Sequence, residues 1–198
     1  MEGWGEISQE ENKEKRKLSC SVAAIFEGSP DDNGIVIGSG FLIDKQTVLT
    51  AKHVIKNKNI LTLCCGFGFY PVAEEQGDLT EKEHYWVQTA NPDEDSDWAL
   101  LTLDEEVKGR DHLKINESGK FEETDKMFVI GNPRGVPTMI SGDCTVSKGV
   151  LKDFFDIELQ PEDCASGSPV FNSRTLIVEG ILISGETCSH CLRANVFC

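Results

Sequence analysis

The sequence predicts an all-β fold, and three observations carry that expectation. Runs rich in β-branched and aromatic residues recur at short spacing, bounded by glycine, proline, asparagine or aspartate. No stretch of a dozen residues shows clean helical periodicity outside the first seventeen. At 198 residues the chain can bury a sizeable core, as one domain or as two small barrels sharing an interface.

Residues 1–17 are almost entirely polar and end in Lys13-Glu14-Lys15-Arg16-Lys17, so a flexible charged arm or a short, loosely attached helix is expected there. From Leu18 the character changes, with a strand over 21–26, a turn over 28–34 and a second strand over 35–43. Glycines interrupt that second run and mark bulges or close backbone approach. A strand over 47–55 runs into His53, and short strands follow at 60–65 and 85–88. Asp97 follows a polar loop and precedes the apolar run 98–103, a setting that suits a partly buried carboxylate. Residues 104–120 read as the connection between two halves, 18–108 and 109–198. The second half resumes with a strand and turn over 127–135 and strands near 138–150 and 154–159. After a serine-containing turn come runs at 175–178 and 179–185 and a last strand around 193–197.

The formal charge is −15, and residues 71–112 alone carry −10. Such a field repels nucleic acid and anionic membrane surfaces, and it reads as a solvated acidic surface. No apolar run approaches the roughly 20 residues of a membrane span. The N-terminal sequence lacks the basic-then-apolar order of a secretory signal, so with Met1 as the natural start a cytoplasmic protein is expected. In that compartment the eight cysteines (Cys20, Cys64, Cys65, Cys144, Cys164, Cys188, Cys191 and Cys198) are expected as free thiols. Cys188-Ser189-His190-Cys191 has the spacing of half a zinc site. The other cysteines are scattered, and neither a metal nor a cofactor is expected.

The chemistry centres on Cys164-Ala165-Ser166-Gly167-Ser168-Pro169. A serine among small residues, followed by glycine and proline, suits a tight turn that holds a hydroxyl out while backbone N–H groups converge. Most such clusters are plain turns, so the reading needs partners. An unassisted serine is a poor nucleophile at neutral pH and requires a base, and that base requires an orienting group. Of the four histidines only His53 ends an apolar strand; His84 and His112 lie in charged loops, and His190 lies between two cysteines.

Thr50-Ala51-Lys52-His53-Val54, Asp97-Trp98-Ala99-Leu100-Leu101 and Ala165-Ser166-Gly167-Ser168-Pro169 stand in the order His, Asp, Ser. They resemble the three signature segments of trypsin/chymotrypsin-like serine proteases, and Gly38-Ser39-Gly40-Phe41-Leu42-Ile43 resembles the strand before the histidine there. The likeness spans about residues 20–197. It implies two six-stranded antiparallel Greek-key barrels of chymotrypsin type acting on a protein or peptide substrate. It also implies Ser166 as nucleophile, His53 as general base and then acid, and Asp97 as the orienting carboxylate. The backbone N–H groups of Cys164 and Ser166 would form the oxyanion hole. Ile183-Ser184-Gly185 resembles the segment along which substrate lies as an added strand, and Gln160 and Pro161 fall near the start of the primary specificity pocket. The 69 residues between Asp97 and Ser166 are few for the family. With Ile130-Gly131-Asn132-Pro133-Arg134-Gly135, that compactness is more similar to HtrA-type and viral members than to digestive ones.

Departures from the family pattern qualify these implications. Cys164 stands where glycine is usual, and a side chain there works against the backbone conformation an oxyanion hole needs. Beside N–H groups its thiol is expected to ionise readily and to make activity redox-sensitive. Ala165 replaces the acidic residue that digestive members pair with a newly cut N-terminus, so activity is expected to be constitutive or gated by an activating partner protein or by ordering of the hole. Lys52 stands where alanine is usual and is expected to face solvent. A small or medium apolar residue is favoured at the cleaved position, while Glu162 and Asp163 keep a basic preference open. Two alternatives remain: a catalytically silent peptide-binding module, and a viral polyprotein-processing protease whose termini are cleavage products.

Overall fold

A computed structural model of the chain describes residues 3–10, 12–68, 83–122, 124–135, 137–149, 153–160, 162–184 and 189–194. The chain opens with strand β1 (Trp4–Glu6) and helix α1 (Lys13–Ser19). Strands β2 (Val22–Glu27), β3 (Ile35–Leu42) and β4 (Thr47–Thr50) follow, then the one-turn helix α2 (Lys52–Ile55). Strands β5 (Leu63–Phe67), β6 (Glu83–Pro92) and β7 (Ala99–Leu103) complete the first half. The second half holds β8 (Lys126–Gly131), β9 (Met139–Ser141), β10 (Cys144–Lys148), β11 (Phe154–Ile157), β12 (Pro169–Asn172), β13 (Val178–Ser184) and β14 (Ser189–Arg193).

Each half closes into a six-stranded antiparallel barrel. The first runs β2-β3-β4-β7-β6-β5, and the second runs β8-β10-β11-β14-β13-β12 and closes through pairing of β12 with β8. Both follow one path, in which strands one to three are laid in sequence and strands four to six return in reverse. The expected all-β, two-barrel architecture of chymotrypsin type is therefore present. Alternation drives closure: in β7, Ala99, Leu101 and Leu103 are buried while Leu100 and Thr102 are only partly covered. Those three fill the first barrel with Ile25, Leu63 and Phe67. Met127, Val129, Phe155, Ile157, Val170 and Leu182 fill the second.

A third core joins the barrels. Val22, Phe41 and Leu49, on the outer face of the first, pack with Phe128, Ile130, Phe171, Ile181 and Leu192 of the second. Phe128 and Phe171 stack there with ring centroids 5.0 Å apart. Burial of such side chains contributes roughly 1.5–3 kcal/mol each, which holds the barrels as one body around the cleft between them.

The N-terminal segment departs from the expected flexible arm; the alternative, a short helix, is present as α1, but with Arg16 and Ser19 buried it is not loosely attached. Strand β1 pairs with β9 in the register Trp4 to Ser141, and Trp4 is buried in the second barrel's core. Ile7 is fully buried in the core between the barrels. Asn12 caps α1 by accepting the Glu14 N–H at 2.9 Å, and the Lys15 ammonium sits 4.3 Å from the centroid of the Phe128 ring. Two large apolar residues spaced three apart reach two different cores, which average polarity conceals. The last strand is likewise displaced: β14 lies at Ser189–Arg193, before the 193–197 expectation, most of which falls outside the described residues. If the N-terminal strand is integral, Trp4→Ala loses about 3 kcal/mol of stability, as for other large-to-small core substitutions. Urea unfolding measures it, and a loss under about 1 kcal/mol would mean that β1 only rests on the surface.

Candidate active site

Strand β4 ends at Thr50, and the chain turns through one helical turn that carries His53; the sequence reading ran the strand on to 55. Val54 and Ile55 are buried and fix this turn on the barrel. Asp97 grips it from the β6–β7 hairpin: the His53 backbone N–H donates to Asp97 Oδ1 at 2.8 Å, and ring Nδ1 lies 2.7 Å from Oδ2. A carboxylate only accepts, so Nδ1 carries the hydrogen, and in the ring's neutral form Nε2 is left as an acceptor.

The hairpin itself is stiffened. Asp93 accepts the N–H groups of Asp95 at 3.0 Å and Ser96 at 2.6 Å. Lys52 is not simply solvated, since its ammonium donates to the Asp93 carbonyl at 2.7 Å and so ties the helix to the loop that presents Asp97. Burial pushes the Asp97 carboxyl upward, but its ring and backbone bonds from His53 and the nearby charges of His53 and Lys52 outweigh this. Its pKa therefore falls below the ordinary 3.8.

The serine turn reaches this region from the second barrel. The Ala165 N–H donates to the Glu162 carbonyl at 3.2 Å and the Ser168 N–H to the Ala165 carbonyl at 3.1 Å, closing two successive turns. Buried Ser39 on β3 clamps them: its N–H donates to the Ser166 carbonyl at 2.8 Å and its hydroxyl to the Cys164 carbonyl at 3.0 Å. Gly167 has φ +86°, and a Cβ there would stand 2.1 Å from the Ser39 carbonyl oxygen and 3.1 Å from the Ala51 nitrogen. Only glycine permits that approach, which brings the serine turn against the backbone two residues before His53. The N–H groups of Cys164 and Ser166 donate to no described residue.

Cys164 adopts φ +64°, the left-handed conformation usual for glycine, at a cost on the order of 1 kcal/mol. Its side chain does not fill the turn, because Sγ points to the Val36 carbonyl at 3.3 Å. The expectation of a readily ionised thiol is overturned on this geometry: burial, with Asp163 adding, raises the Cys164 pKa.

The structure brings His53 and Asp97 into contact and sets the serine turn beside them. The Ser166 hydroxyl donates to the Ile183 carbonyl at 2.6 Å and makes no hydrogen bond to His53. Ser184 pairs with His190 across β13 and β14. Gln160 is exposed, and no described contact ties it to the site; Pro161 and Gly185 lie outside the described residues. A cavity of about 1160 Å³ opens beside His53, with Ile55, Ile60, Ala90, Pro92 and Phe154 in its lining. Among the described residues no group of three or more His, Cys, Asp or Glu is arranged to hold a metal, and the described cysteines form no disulfide. Within the zinc-like cluster, Cys191 is buried in the barrel core while its strand neighbour His190 bonds Asp156 at 2.5 Å, so the two diverge; Cys188 and Cys198 lie outside the described residues. Sequence reasoning missed Ser39, Lys52 and Arg134 as supports, because their partners lie 28 to 125 residues away.

Two antiparallel barrels of identical strand path, with a carboxylate-held histidine on one and a glycine-hinged serine turn on the other, define the chymotrypsin-like class. The family model described as a trypsin-like peptidase domain matches residues 38–181, almost three quarters of the chain, and the protein belongs to that family. Its function is accordingly of the protease type.

The lowered Asp97 pKa has a stability consequence. A depressed carboxyl stabilises the fold above its unfolded-state value and loses that contribution as pH falls through the folded one. The wild type should thus exceed Asp97→Asn in melting temperature at pH 7, with the gap closing below pH 3.8. A gap independent of pH from 7 to 2.5 would contradict the assignment.

Proposed function

We propose that the protein is a serine endopeptidase that cleaves peptide bonds through an acyl-enzyme intermediate. Ser166 attacks the scissile carbonyl, His53 Nε2 takes its proton and returns it to the leaving amine, and Asp97 holds the ring in the tautomer that leaves Nε2 open. Water then repeats the sequence on the acyl-enzyme. The observation that carries the reading is the pair of amides, Cys164 and Ser166, left without described partners beside the hydroxyl. Together they offer an oxyanion two donors, each worth on the order of 3 kcal/mol in comparable enzymes.

The Ser166 hydroxyl must leave the Ile183 carbonyl to reach His53. An extended peptide laid along Ile183 and Ser184 brings its own N–H to that carbonyl and frees the hydroxyl to turn about χ1 toward the histidine. The apolar lining of the cavity beside His53 favours small or medium apolar substrate residues near the cut. Glu162 gives little support to a basic preference, since Arg134 already engages its carboxylate. The bond from Ser166 to Ile183 favours one second reading, a silent peptide-binding module of the same fold.

A fluorophosphonate probe separates the two. Labelling of the wild type but not of Ser166→Ala is expected, with His53→Ala lowering kcat for peptide hydrolysis by at least about 10⁴. A folded wild type that never labels is the binding module.

A further inference from the structure

We propose that Arg134 is the positioning residue that holds one half of the oxyanion hole in its working orientation. The proposal rests on the reading of the 162–166 turn as that hole. Asp163 C=O and Cys164 N–H belong to one planar trans peptide and point in opposite directions. Whatever holds the carbonyl therefore aims the amide.

That carbonyl accepts the Arg134 backbone N–H at 2.5 Å. The remaining carbonyls of the turn are also engaged: Glu162 by Ala165, Cys164 by Ser39, Ala165 by Ser168 and Ser166 by Ser39. Of these carbonyls, that of Asp163 is the one held by a segment outside both the turn and the first barrel.

Arg134 is itself placed for this. It has φ +54° in the turn Pro133–Gly135 that follows β8, and its guanidinium engages Glu162 twice, Nε to Oε2 at 2.5 Å and Nη2 to Oε1 at 3.2 Å. A bidentate fork fixes orientation as well as distance. Glu162 immediately precedes the peptide in question, so the side-chain pair and the backbone bond clamp its flank and its carbonyl together. Asn132, two residues earlier, completes the brace, because its N–H donates to Ser39 Oγ at 2.9 Å. Ser39 and Arg134 thereby hold the same turn from two sides. Without the fork the 163–164 peptide is free to turn over, which replaces an N–H donor by a carbonyl oxygen at the place where negative charge develops.

Arg134→Gln and Glu162→Gln should each lower kcat for a peptide substrate at least about tenfold, a fraction of the loss from deleting one oxyanion donor. KM should stay within about threefold, and Arg134→Lys, which keeps the charge without the fork, should recover part of the loss. The deciding readout is the Cys164 amide in nuclear magnetic resonance of the folded proteins. Its shift should move and its hydrogen exchange accelerate in Arg134→Gln, with the amides of β2 and β3 unchanged. An unmoved Cys164 amide, or a kcat for Arg134→Gln within twofold of an active wild type, overturns the proposal. A wild type silent to the serine probe would remove the peptidase reading alone, and the Cys164 amide would still decide the clamp.

Discussion

The arrangement depends on one buried serine. Ser39, on the second strand of the first barrel, is fully enclosed, yet each of its polar groups has a partner across or along the seam. Its amide and hydroxyl hold the Ser166 and Cys164 carbonyls, its oxygen accepts the Asn132 N–H, and its carbonyl accepts the Thr50 hydroxyl at 2.7 Å. A buried hydroxyl without such partners would be strongly destabilising, so the seam is satisfied only when both barrels are in place. The apolar core between the barrels supplies adhesion; Ser39 supplies register. Sliding one barrel past the other by a residue would strand this set of bonds and draw the serine turn away from His53.

Electrostatics around the histidine follow the same economy. The chain carries −15, yet Lys52 is anchored to the loop that presents Asp97, and its charge helps keep that carboxylate ionised. The imidazole is thus oriented by a local bond and a local cation, and is little dependent on the distant acidic surface, which salt screens.

Much of the fold was legible because strands announce themselves locally. The alternation in β7 and the β-branched runs of β3 and β13 need no knowledge of partners. His53 and Asp97 were legible for a related reason, each sitting beside an apolar strand that fixes its location. What escaped detection has no local signature. The turn of α2 is too short for helical period, and Trp4 and Ile7 are two residues in a polar stretch. The fork from Arg134 to Glu162 spans 28 residues under no spacing rule. For Cys164 the conflict between a side chain and the turn was legible, but its resolution was not: the residue takes a left-handed conformation with the sulfur turned to a carbonyl on the neighbouring barrel.

The N-terminal strap has a bearing on how the chain assembles. Among the described residues strand β1 pairs with β9 alone, whose residues lie more than 130 positions later, so β1 is made long before its partner and waits for it. Until the second barrel has formed, the indole of Trp4 and the side chain of Ile7 remain uncovered. A molecule stalled midway would therefore present a sticky segment to its neighbours or to a chaperone, and its covering coincides with completion of the cleft.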